Sequence, residues 1–263
     1  MSLKVTVLGC GTAYGVPVVG GDWVDCNPDN PKNRRLCPAI LLKKNKTKVL
    51  IDLGPDYRIQ AEKHQIRKLD GVVYTHPHAD HIVGNFHLPM MMRYYKKGEM
   101  LPLYAERSTR KEIEKVWWFQ NDPAINVDYY GEGKPLWQEI APFIPFNIGD
   151  ITLEPHRQWH GKMPTLGFRI GDFAYCTDVS EMPEESFANL NQLDTLILEC
   201  NQEDDSDSSH IYLEKALRWI EKLAPKTTYL THLNHTVDYD TMSQKLPNNV
   251  HLAYDDLEIE MTD

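Results

Sequence analysis

Four side chains able to bind a metal stand within six residues: His76, His78, Asp80 and His81 in the run HPHADH. Neutral imidazole and carboxylate together suit zinc, iron or manganese. The run follows the apolar segment Val72-Val73-Tyr74-Thr75, which reads as a strand leading into a ligand loop. Three imidazoles and a carboxylate so tightly spaced are hard to explain as core or as a solvated face. A chelate needs more than one segment, and three others offer matching groups after apolar runs. His160 follows Trp159, Asp178 follows Phe173 to Thr177, and His232 follows Tyr229-Leu230-Thr231. Each alone reads as a surface or capping residue; beside the hexapeptide they read as ligands.

The elements that must position these groups are mostly strands. Val5 to Leu8, Ala39 to Leu42, Val49 to Leu53, Asp70 to Thr75, Ile151 to Glu154, Leu166 to Ile170, Phe173 to Thr177, Leu196 to Glu199, Thr227 to Thr231 and Leu257 to Met261 carry strand patterns. Gly171-Asp172 reads as a hairpin turn. Helices are expected near Arg58 to Arg67, over Ser108 to Phe119, and where Leu213, Ala216, Leu217, Ile220 and Leu223 share one face. Ser208 and Ser209 are good N-caps for the last of these, which places His210 at a helix N-terminus and favours its deprotonated form. Trp117, Trp118 and Phe119, and Met90 to Met92, read as packing residues. The pattern predicts a layered α/β protein with its site at strand ends, and no linker divides residues 1–263, so one domain is expected.

Composition narrows the function classes. Of 263 residues, 41% are hydrophobic and 25% charged, which excludes collagen-like and largely disordered chains. No apolar run approaches the length of a membrane helix. The 28 basic and 38 acidic residues give a net charge of −10, which disfavours nonspecific binding to nucleic acid or anionic membranes. Cys10, Cys26, Cys37, Cys176 and Cys200 are odd in number and scattered, so no disulfide framework is expected and a cytoplasmic location fits.

The order and spacing of His76-x-His78-x-Asp80-His81, His160, Asp178 and His232 resemble the metallo-β-lactamase-fold hydrolase superfamily over nearly the whole chain. The resemblance implies a four-layer αββα sandwich with two divalent metal ions at one edge of its sheets, zinc first and manganese or iron as alternatives. By the same resemblance His76, His78 and His160 hold one metal, Asp80, His81 and His232 hold the other, and Asp178 bridges. The cysteine ligand of some β-lactam-cleaving members is missing, which disfavours antibiotic hydrolysis. Leu8-Gly9-Cys10-Gly11-Thr12, followed by Gly15-Val16-Pro17, is similar to the phosphodiesterase branch. Within it, the phosphoribosyl 1,2-cyclic phosphate phosphodiesterases have counterparts of Arg34-Arg35, Ser209-His210 and the run Leu230 to His235. Those enzymes carry a structural zinc on three loop cysteines and a late histidine. Here Cys26 and His235 stand at two of the four places, with Gly21 and Trp23 at the others, so a third metal site on Cys26 and His235 is incomplete.

The resemblance implies hydrolysis of a small cyclic phosphodiester by metal-bound hydroxide, with Asp80 orienting the nucleophile and His210 protonating the leaving oxygen. Arg34 and Arg35 are either a bidentate phosphate clamp or a solvated basic pair. The rival readings are a nuclease processing RNA 3′ ends, a thioester hydrolase of the glyoxalase II type, and an iron-dependent redox protein. The expected partner is a small phosphodiester substrate, with nucleic acid and membrane disfavoured and a homodimer left open.

Overall fold

The computed structural model describes residues 2–117 and 134–261. The first half runs β1 (Leu3–Gly9), β2 (Ala39–Lys44), β3 (Thr47–Ile51), α1 (Tyr57–Lys63), β4 (Gly71–Val73), α2 (Ala79–Ile82), α3 (Leu88–Met92), β5 (Met100–Ala105), α4 (Arg107–Val116) and β6 (Lys134–Glu139). The second runs β7 (Phe146–Ile148), β8 (Ile151–His160), β9 (Met163–Ile170), β10 (Phe173–Cys176), α5 (Glu184–Asn189), β11 (Thr195–Glu199), α6 (Leu213–Leu223), β12 (Thr227–Thr231), α7 (Tyr239–Ser243), β13 (Val250–Leu252) and β14 (Glu258–Met261). Two seven-stranded sheets result, in the orders β14-β1-β2-β3-β4-β5-β6 and β13-β12-β11-β10-β9-β8-β7. Among the described residues no helix is long and apolar enough to cross a membrane.

Strand alternation explains the layering. Val5, Val7, Ile40, Leu42, Val49, Ile51 and Val73 of the first sheet share one core with Ile151, Leu153, Leu166, Phe168, Phe173, Tyr175 and Ile197 of the second, so these faces pack on each other. The intervening residues point outward and meet helices. Leu41, Leu50 and Val72 pack with Tyr57, Met91, Met92 and Ile113 on one side. Leu196, Leu198 and Leu230 pack with Phe187, Trp219, Ile220 and Leu223 on the other. With both faces buried, the strands read as unbroken apolar runs such as Ala39 to Leu42 and Leu196 to Leu198. This is the expected αββα sandwich.

Local differences from the sequence patterns have identifiable causes. β8 continues past Glu154 to His160 because it pairs with β9 along its length, from Glu154↔Arg169 to His160↔Met163. Buried His156 and Gln158 hide that extension from a hydropathy pattern. The α1 helix stops at Lys63, and Gln65 then adopts a left-handed φ of 51°. The N-cap of α4 is Glu106, not Ser108. Of the aromatic run ending that helix, Trp117 is half-buried against the outer core, and Trp118 and Phe119 lie outside the described residues. Met91 and Met92 pack as expected, while Met90 is 60% exposed.

The active edge follows from register. Strands β3, β4 and β5 are parallel, as are β10, β11 and β12. Pairs such as Ile51↔Val73, Cys176↔Leu198 and Leu198↔Leu230 make the strands end level. The residues just beyond their carboxyl ends therefore gather at one edge, where α/β sheets place ligands.

Candidate metal centre

Three residues at this edge leave their strands through left-handed backbone: Asp52 (φ 66°), Asp178 (φ 51°) and His232 (φ 58°). Such turns cost roughly 1–3 kcal/mol each for a residue with a Cβ and persist only where surrounding bonds enforce them. The Asp52 amide donates to Val73 O at 2.8 Å, Thr165 Oγ1 donates to Asp178 O at 3.0 Å, and the Leu233 amide donates to Cys10 O at 2.8 Å. The hexapeptide loop is seated by close backbone contact. A Cβ on Gly54 would lie 2.1 Å from Asp80 O, and one on Gly84 would lie 2.2 Å from Gly54 O.

Side chains from both sheets converge there. Ligand atoms of His76, His78, His160 and Asp178 lie within 4.8 Å of one another, as do those of Asp80, His81, Asp178 and His232. Asp178 belongs to both groups, and to a third with Glu199, His210 and His232. Its Oδ2 is 3.1 Å from His81 Nε2 and 3.4 Å from His232 Nε2, and its Oδ1 is 3.8 Å from His76 Nε2. The sequence-predicted ligands thus meet, drawn from four stretches of chain.

The far side of the rings of His76, His81, His160 and His232 is fixed by a partner. Thr75 Oγ1 donates to Asp52 and accepts from His76 Nδ1 at 2.9 Å. The Nδ1 of His81 donates to Asp52 Oδ2 at 2.7 Å, and that of His160 donates to Ser209 O at 2.6 Å. His232 Nδ1 lies 3.2 Å from Glu199 Oε1. These contacts hold the rings so that Nε2 faces inward, and for His76, His81 and His232 that atom is buried without a hydrogen-bond partner. Outer bonds that orient inner nitrogens around a shared carboxylate are what a divalent cation requires. The donor set of imidazoles and carboxylates fits zinc, manganese or iron.

Electrostatics points the same way. Burial lowers His76, and charged His81 adds to that. Burial opposes charge on His232, but Asp178, Asp80 and Glu199 overcome it and lift the ring to about 10. His81 is raised in the same way by Asp80, Asp178 and Asp52. Burial would raise Asp178, yet His232, His81 and His76 hold it well below the usual carboxylate range. The carboxylates thus raise the proton affinity of His81 and His232, and a divalent cation held there would compete with those protons.

Two members of the site carry no motif. Asp52, buried beneath His81, and Glu199, buried at the end of β11, each terminate an apolar run with a single acid. That lone acid is the only sequence signal they give. Glu199 accepts the Val179 amide at 2.5 Å and bonds His210 Nδ1 through a short contact.

Several expectations need correction. His210 is not at a helix N-terminus: α6 begins at Leu213 with Tyr212 as N-cap. The Ser209 amide and hydroxyl are instead taken by Asp207 Oδ1 in a turn of their own. His210 is not easily deprotonated either. Burial opposes its charge, but the Glu199 carboxylate raises it above the ordinary value. It stacks on His232 with ring centres 5.1 Å apart, and its ligand atom joins those of Asp178, Glu199 and His232 in a third group within 4.8 Å of one another.

Arg34 and Arg35 do not form a phosphate clamp. Arg34 is exposed and lies 5.0 Å over the Trp23 ring, while Arg35 is 1% exposed with its guanidinium committed to protein oxygens. The Cys26 and His235 pair gains no further donors: among the described residues no group of metal-binding side chains includes either. The Cys26 thiol donates toward His235 O and Val237 O, and Arg35 Nη1 stands 3.9 Å from its sulfur, where a cation would be repelled.

Comparison with known proteins places this geometry. The family model for the beta-lactamase superfamily domain matches residues 47–233. An octanoyltransferase from Porphyromonas gingivalis is 31% identical over 264 residues, spanning 97% of this chain and 51% of that protein. A ribonuclease Z from Methanopyrus kandleri is 26% identical over 142 residues, 53% of this chain and 46% of that one. The chain spans about half the length of these curated relatives. Among solved structures, a diphosphatase of the PhnP family superposes with a TM-score of 0.90 at 32% identity, covering 99% of this chain and 98% of the other. Human tRNase Z, short form, superposes with a TM-score of 0.70 at 19% identity, covering 97% and 98%, a likeness of fold.

Proposed function

The chain belongs to the beta-lactamase superfamily domain family, a metal-dependent hydrolase fold, and from that premise we propose a dinuclear phosphodiesterase acting on a small cyclic phosphodiester. The observation that carries the reading is Asp178, shared by two groups of donors whose inward Nε2 atoms on His76, His81 and His232 have no other partner. Divalent cations held by such donors supply a nucleophilic water near neutral pH and neutralise charge on phosphoryl oxygens.

The chain's own residues do the rest. Asp178 holds the two groups at a fixed separation. Asp80, 3.0 Å from His81 Nε2 and 3.7 Å from His232 Nε2, is a ligand that can also accept a proton-bearing bond from the attacking water. Glu199 binds His210 through Nδ1, which leaves Nε2 to donate a proton to the leaving oxygen, and its charge stabilises the protonated ring until that transfer. A ring ester opened this way leaves as a monoester.

A small substrate is favoured by the net charge of −10, which repels a polyanion, and by the near-complete match to a diphosphatase. That match also supports a second reading, in which the substrate is a diphosphate ester. The octanoyltransferase is about twice this length, so its name does not transfer. The test is a turnover panel on zinc- and manganese-loaded protein: a ribose cyclic phosphate, a cyclic nucleotide, an aryl phosphodiester, diphosphate esters, precursor tRNA and a glutathione thioester, with oxygen uptake followed in parallel. Turnover led by the ribose cyclic phosphate is expected. Thioester cleavage or oxygen uptake without phosphate-ester turnover would refute the reading.

A further inference from the structure

Among the described residues, Arg35 is the largest side chain that is almost wholly buried. Its Nη1 donates to Asn234 O at 2.9 Å, and its Nη2 donates to Val237 O at 2.6 Å and to Asn33 Oδ1 at 3.1 Å. None of these partners is a carboxylate. Burying a cation against neutral oxygens is costly, so the geometry it secures is the place to look for a role.

The oxygens that Arg35 grips belong to the segment leaving His232. Asn234 and Val237 lie two and five residues beyond it. Between His232 and this grip the backbone is held by the Asn234 amide on Asn201 O at 2.9 Å. The Asn234 side chain donates to Asn201 Oδ1 at 3.0 Å, and Asn201 Nδ2 stands 3.4 Å from His232 Nδ1. The support therefore reaches His232 through its backbone: the guanidinium fixes Asn234 O, and the Asn234 and Leu233 amides are fixed on Asn201 O and Cys10 O. Asn201 Nδ2 only packs on a ring whose Nδ1 proton faces Glu199. His232 itself sits in left-handed backbone, which relaxes unless its surroundings hold it. The planar fork reaches carbonyls three residues apart at once, which a lysine ammonium on a flexible stem does not reproduce.

We propose that Arg35 is a positioning residue for His232, holding the Asp80, His81, Asp178 and His232 group in shape while leaving the His76, His78, His160 and Asp178 group untouched. The inference rests on the dinuclear reading above. It distinguishes the two groups by what supports them: loss of Arg35 weakens one cation position and not the other.

Cobalt(II) alone is the probe, titrated into the metal-free 263-residue chain and followed by its visible absorption and by bound metal per chain. The unsubstituted protein is expected to take up two ions. Arg35→Met should bind the first with unchanged affinity and the second roughly 10- to 100-fold more weakly, the loss typical when a ligand's outer support is removed. Arg35→Lys should fall between, and it carries the test if the methionine variant does not fold. Two ions bound with unchanged affinities in both variants would overturn the positioning role and leave the dinuclear reading standing. Fewer than two ions in the unsubstituted protein would refute the dinuclear reading and, with it, this inference.

Discussion

At the strand-end edge, the Nε2 atoms of His76, His81 and His232 are buried and face a common carboxylate without meeting hydrogen-bond geometry. In the N-terminal loop, the Cys26 thiol is spent on two backbone carbonyls, a guanidinium stands beside it, and His235 offers only an unpartnered Nδ1 with no third donor. Both places hold residue types that bind metals. The difference is that the first has an outer layer of Asp52, Thr75, Ser209 and Glu199 that satisfies one side of each ring and leaves the other bare. Ligand chemistry becomes a site only where that second layer leaves donors unspent on the inner side.

The comparison breaks most sharply at Asp178. Asp178→Ala should lose about 4 kcal/mol of transition-state stabilisation, roughly 10^3-fold in turnover, because it removes the donor common to both groups. Turnover of an aryl phosphodiester and bound metal per chain measure it. Retained activity with full metal content would mean that the edge is not the centre.

His210→Ala and Glu199→Gln should each reduce turnover of a substrate with a poor leaving group by about 10^2-fold, and change an aryl ester far less, because a good leaving oxygen needs no proton. Equal losses on both substrates would show that His210 does not act as the acid.

A histidine outside the centre sharpens the contrast. His156, four residues before His160 on β8, is fully buried with no facing carboxylate, and burial holds it down at about 3. The folded chain refuses a proton that the unfolded chain accepts near pH 6.5, so this contribution to stability is present above that pH and is lost as pH falls toward 3. Between pH 6.5 and 4.5 the loss is about 2 kcal/mol. Denaturant unfolding at both values should find His156→Leu less acid-sensitive by that amount. Identical acid sensitivity would show that the ring already carries a proton or meets water.

The smallest effect belongs to the loop. Cys26→Ala should leave bound metal per chain unchanged and cost about 1 kcal/mol of stability, the value of one weak hydrogen-bonded contact. A drop in bound metal would restore a third cation position on Cys26 and His235.

Much of this was legible in the chain itself. Runs such as Val72 to Thr75 and Leu196 to Glu199 announce buried strands because both of their faces are apolar. The hexapeptide from His76 stands out because its donors are adjacent. Strand β8 was legible only to Glu154, because buried His156 and Gln158 carry polar atoms whose partners, Cys176 and Thr177, lie at the end of β10 and just beyond it. The helix cap assigned to Ser209 failed for the same reason, since its hydroxyl is taken by Asp207 in a turn that propensity does not foresee.

Residue type and spacing determined the layered fold, the strand-end placement and the candidate ligands, since these depend on local periodicity and on donor chemistry written along the chain. Tertiary structure alone decided that Asp52 and Glu199 lie behind the rings of His81 and His232, that Arg35 grips a backbone instead of a phosphate, and that Glu199 raises the pKa of His210. Each of those outcomes depends on which distant group a side chain meets, such as Glu199 with His210 or Arg35 with Asn234. Such meetings are set by strand register and loop packing.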